Sequence, residues 1–196
     1  AEALQRLGRR EALDALLAQL APLVAKLPSS PEGAWARTRY EAILALLPGA
    51  SAGAQQHAAI AFKAEAEREA TPFPGWARIQ SARLTLAAHQ GGATSIEDLE
   101  FHAAELTAMR NSGSDTLDAS ALLLDLTIAQ ASLAHQLGDD ARSLVLVRSA
   151  RANLKQLEAA LTVPTARASG SAPAIKERRL ALDGLAAELP DSEEGQ

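Results

Sequence analysis

The chain is 196 residues long, 47% apolar but only 3% aromatic, and carries a formal net charge of −5. This length suits one large domain, two small ones or an elongated stack, with ample apolar mass for a core. Cysteine is absent, which excludes disulfides, thiol catalysis and thiolate metal sites, and basic residues never cluster beyond a pair (Arg9-Arg10, Arg178-Arg179), which argues against nucleic acid as the main partner.

The apolar content is mostly alanine and leucine, both strong helix formers, and β-branched residues never gather into alternating runs. The fold class expected is therefore all-α, with about eight helices. No run of about 18 apolar residues occurs, so no segment is expected to span a bilayer. No signal peptide is visible, and a start at Ala1 without Met is what an excised or processed segment would show.

The first element expected is a helix over residues 1–27, built on Leu4, Leu7, Leu13, Leu16, Leu17, Leu20, Leu23, Val24 and Leu27, with Pro22 kinking or dividing it. Ser30-Pro31-Glu32 opens a second helix that runs to Leu47, with serine as cap, proline at the first position and an acid in the first turn. Ser51 caps a third, which carries Ala59, Phe62 and Ala66 on one side and stops before Thr71-Pro72. A fourth spans Trp76 to Gln90 and closes at Gly91-Gly92. The Ser95-Ile96-Glu97-Asp98 capping box starts a fifth that lasts to about Arg110.

After the loop 111–115, Leu117 to Leu137 forms the most apolar helix, expected at the middle of a core. Gly138 ends it, Asp139 or Asp140 caps the next, and that helix reaches about Leu161. Residues 163–173 are rich in Ser, Ala, Thr, Gly and Pro and read as a flexible connection. A C-terminal capping helix follows over 174–189, then an acidic tail over 190–196. The domain reading is thus a helical-repeat domain over 1–162, in which three antiparallel pairs follow the N-terminal helix, with the connection, cap and tail behind it.

Repetition underlies that reading. Pro31-Glu32-Gly33-Ala34-Trp35-Ala36-Arg37 and Pro72-Phe73-Pro74-Gly75-Trp76-Ala77-Arg78 each open a helix, and the tryptophans lie 41 residues apart. The endings before Gly91 and Gly138 also match, Leu86-Ala87-Ala88-His89-Gln90 beside Leu133-Ala134-His135-Gln136-Leu137. A period of this size marks stacked helix pairs, none of which buries its apolar face alone. Around Gly138-Asp139 the chain resembles the turn of a tetratricopeptide repeat, with Ser143, Leu144, Val147 and Ala150 on that family's offsets and serine in place of its usual alanine. The resemblance covers about 35 residues well. No aspartate follows Gly49 or Gly91, both tryptophans sit about one turn ahead of the family's aromatic position, and the 42–47-residue spacing between turns exceeds the family's unit. It implies a right-handed solenoid whose first helices line a concave groove for a peptide or partner helix.

The candidate partner-binding residues are Trp35, Arg37, Trp76, Arg78 and Arg83, with Arg39 able to widen the set. Arginines aligned on stacked helices would offer forked donors to an acidic peptide or a C-terminal carboxylate. The alternatives are exposed arginines on a solvated face or a pair to Asp125, and tryptophans that plug joints between hairpins. Asp98, His102 and Glu105 share one helix face at i, i+4 and i+7, a partial metal-binding geometry that equally occurs on metal-free surfaces. His89 and His135 end equivalent helices, where a cation suits the dipole. Glu65, Glu67 and Glu69 read as a solvated acidic edge.

No nucleophile elbow, phosphate-cradling loop or paired-histidine zinc motif is present, so no enzyme activity, metal or cofactor is expected. The function expected is a non-enzymatic protein–protein interaction or scaffold domain of a larger bacterial signalling or assembly protein, cytoplasmic or periplasmic. The alternative is a ligand-sensing regulatory domain of a membrane-anchored receptor or kinase, and self-association is a third possibility.

Overall fold

The computed structural model describes residues 9–68, 73–113, 116–161 and 172–189, all helices and their connections. The chain divides into two compact units, residues 1–93 and 94–196. The pair expected between the fourth and fifth helices straddles this division, one helix in each unit.

Helix α1 (Arg10–Val24) opens the first unit and buries Leu13 and Leu17. Pro22 lies inside it, and the helix ends two residues later rather than at 27. Lys26 and Leu27 donate to carbonyls three residues back, the tight bonding that closes a helix before Pro28. Residues 1–8 lie outside the described chain. Helix α2 (Pro31–Ala45) is capped by Ser30, whose Oγ accepts from the Gly33 amide at 3.2 Å. The backbone amide and the Ser30 hydroxyl hold the Glu32 carboxylate below its ordinary range. Helix α3 (Ala52–Ala66) is capped by Ser51 in the same way.

Helix α4 (Pro74–Gln90) packs closely on α3, where Ala58, Ala59, Phe62 and Ala66 of α3 form one buried cluster with Ala77 and Leu84 of α4. The buried Ser81 hydroxyl donates to the Ala59 carbonyl at 2.8 Å. Helix α2 packs on both α3 and α4, and α1 on α2.

Gly33 shows how tightly α2 is entered. A Cβ there would lie 2.1 Å from the Pro28 carbonyl oxygen, a backbone atom with no flexible side chain to yield. Gly33→Ala is therefore expected to cost about 1–3 kcal/mol, the usual penalty of overpacking, measured by urea denaturation. An unchanged midpoint would show that the 28–30 turn moves freely.

The second unit begins with α5 (Ile96–Asn111), whose capping box is complete: Ser95 Oγ accepts from the Asp98 amide at 3.2 Å, and Asp98 accepts from the Ser95 amide. Helix α6 (Leu117–Gln136) is the central rod, packed against α5, α7 (Asp140–Leu161) and α8 (Ala172–Glu188). It buries nine residues, including Leu122, Leu123, Leu124 and Leu126. At 20 residues it is long and apolar enough to cross a membrane, against the expectation that no segment would be. Half of that stretch is buried inside the protein and Asp125 within it is ion-paired, as in a core helix.

Gly138 turns the chain from α6 to α7 with φ +79°, a conformation costly for residues with a Cβ. Asp139, of the two aspartates weighed, is the cap: its carboxylate accepts from the Arg142 amide at 3.1 Å. Ser143, Val147 and Ala150 are buried against α6, and the Ser143 hydroxyl donates to the Ala131 carbonyl at 2.8 Å. Helix α8 starts at Ala172, so the connection expected over 163–173 is two residues shorter at its end, and its remaining part lies outside the described residues, as does the tail 190–196.

Candidate functional site

Trp35 and Trp76 come together. Their ring centroids are 5.2 Å apart with planes at 69°, and both meet Phe62 of α3, at 6.0 Å and 5.3 Å. Phe62 is fully buried, and the two tryptophans are partly buried against the same cluster. Edge-to-face packing places the positive ring edge on a negative face, which favours this triangle over parallel stacking. The tryptophan repeat thus sets the first turns of α2 and α4 beside each other.

The arginines do not form the single column expected. Arg37, half-buried, turns back to the chain before its own helix and donates to the carbonyls of Leu27 and Pro28 at 3.0 and 3.3 Å. Those carbonyls precede a helix start and need donors; the two protons of the one terminal nitrogen Nη1 reach both. Arg37 is therefore a structural tie. Its place at the tryptophans is taken by Arg39, one turn after Trp35, whose guanidinium carbon lies 4.8 Å from the Trp76 ring centre. Such a cation–π contact is worth about 0.5–1 kcal/mol at an exposed site. Arg78 and Arg83 lie half-buried on α4. The aromatic–cationic face of the first unit is thus Trp35, Trp76 and Arg39; Arg83, seven residues after Trp76, shares that side of α4, and Arg78, two residues after it, points away.

Asp125 is not the partner of these arginines. It receives both Nε and Nη2 of Arg178 from α8, at 2.6 and 2.7 Å, a bidentate pair in which the two side chains are 28% and 18% exposed. Hydrogen bonding to Asp125 raises the Arg178 pKa further above its ordinary value. Local spacing gives no signal for this pair, since 53 residues separate its members.

The partial metal face on α5 does not assemble. Asp98 is spent on the cap, while His102 is buried and sets its Nδ1 3.2 Å from Glu105. Among the described residues no group of three or more His, Cys, Asp or Glu side chains is placed to hold a metal. Glu65 is likewise no solvated edge: it is 4% exposed and paired with Arg68 at 3.0 Å. Glu67 is exposed, and Glu69 lies outside the described residues.

Comparison with protein-family models, curated proteins and solved structures gives no match. The geometry alone carries the functional reading.

The two helix-end histidines differ. His135 is held 2.6 Å from Asp140. Burial pushes the His89 imidazole below its ordinary value of 6.5, because desolvation disfavours the charged ring. The unfolded chain then takes up that proton more readily than the folded one. His89 costs no stability above pH 6.5 and lowers it as pH falls from there through the depressed folded value. An NMR titration of the imidazole is expected to give a midpoint below 6.5, and a higher one would show the dipole prevailing.

Proposed function

We propose that this chain is a non-enzymatic interaction domain that docks an acidic peptide or helix on the α2–α4 face. One observation carries the reading: two tryptophans 41 residues apart meet edge-on, and a guanidinium lies over one of them. Half-buried indoles flanked by arginines are the composition of binding hot spots, and the positive charges of Arg39 and Arg83 select acidic partners although the whole chain is negative.

Hairpin-repeat stacking of tetratricopeptide type belongs to the same proposal. Its support is the α6–α7 turn, where Ser143, Val147 and Ala150 occupy that family's offsets and are buried.

Tryptophan fluorescence titration with glutamate- and aspartate-rich peptides tests the docking face, since both indoles lie at it. Arg39→Glu with Arg83→Glu is expected to weaken binding about tenfold or more, as loss of charge-assisted contacts does. Arg37→Ala should instead lower stability and leave affinity nearly unchanged. Equal affinity of the double variant and the native chain would exclude the face.

A further inference from the structure

Helix α8 sits on the second unit as a ligand would. Ile175, Leu182 and Leu189 recur at every seventh residue, and with Leu185 they pack on Leu124 and Ala131 of α6 and on Val147, Leu154 and Leu157 of α7. Only Leu182 and Leu189 among them are fully buried, while Leu180 on the opposite side is 63% exposed. This is helix-in-groove recognition by one apolar stripe.

Charge sets the register. The face receiving α8 offers Asp125 and Glu158, and α8 brings Arg178 and Arg179 to them in that order. Two outer pairs run between the same surfaces, Arg151 to Asp183 at 3.6 Å and His135 to Glu188 at 3.9 Å. The first is exposed and the second long, so both add little in water. The sheltered Arg178–Asp125 fork is the one strongly directional contact. The attachment of α8 to α6 and α7 is slight beside the packing of α7 on α6.

We propose that the α6–α7 face covered by α8 is a second docking site, for an amphipathic helix of a partner protein that offers an arginine to Asp125, with α8 as its intramolecular occupant. The site is independent of the Trp35–Trp76 face. A tethered segment acts at an effective concentration of about millimolar, so a partner helix binds in proportion to the fraction of chains whose α8 has lifted. The receiving face thus selects a helix with an apolar stripe and arginines toward its N-terminal half, where Asp125 and Glu158 lie.

The test uses the full chain and a fluorescently labelled peptide of residues 172–189 as the stand-in helix. The Arg178→Glu chain, with its own α8 repelled by Asp125, is expected to bind the native peptide about tenfold tighter or more than the native chain does. A peptide carrying Arg178→Glu should bind that same variant chain weaker by a similar factor. Absence of binding to the variant chain, or equal binding of both peptides, overturns the proposal. Dimerisation of the native chain that the peptide blocks also overturns it, because the occupant is then α8 of a second copy. Should the variant chain fail to fold, hydrogen exchange of the native chain decides. Amides of α8 exchanging well before those of α6 and α7 support the site, and equal protection removes it.

Discussion

Replacing Phe62 by alanine is expected to destabilise the chain by about 3–5 kcal/mol, at the upper end for a single side chain. Phe62 is wholly buried and touches both tryptophans with its ring. The surrounding cluster is largely alanine, with Ala42, Ala45, Ala58, Ala59, Ala66 and Ala77 about it. Alanine has no rotamer with which to refill a void, so the cavity stays open. Urea denaturation gives the magnitude, and near-ultraviolet circular dichroism of the indoles reports the loosened triangle. Docking of acidic peptides should fall with it, since Trp35 and Trp76 lose their shared support. A cost below about 1 kcal/mol would mean that the helices close over the gap, as small-residue interfaces do when free to slide.

Leu124→Ala in the second unit is expected to cost about 2–5 kcal/mol. Leu124 is fully buried on α6 within the cluster that includes Leu182 of α8 and Leu189 just after it. Its loss leaves the cavity beneath α8, so α8 should lose amide protection more than α5 does, as hydrogen exchange followed by proteolysis can resolve. Uniform loss across α5, α7 and α8 would show instead that the unit opens only as a whole.

Much of the secondary structure was legible because its signals are local. Ser30, Ser51 and Ser95 all cap the helices expected of them, and each bonds an amide three residues on. Gly138 and Asp139 likewise announced the α6–α7 turn. The helix ends shifted by a few residues, at Val24 and Ala45 for example, where tight turns before a proline replace the last helical bonds. Of the candidate site, the tryptophans were visible as a repeat, whereas their meeting over Phe62 was not.

The sequence by itself determined an all-helical chain, its caps and turns, and the core rank of α6, because capping and apolar periodicity act within one or two helical turns. Tertiary structure alone decided that Arg37 serves the Leu27 and Pro28 carbonyls and that Arg39 takes its place at Trp76. It likewise decided that Asp125 belongs to Arg178, and that Glu65 and His102 lie inside. Each of those outcomes depends on which neighbouring element packs over the residue or brings a partner to it, and spacing along the chain does not encode that.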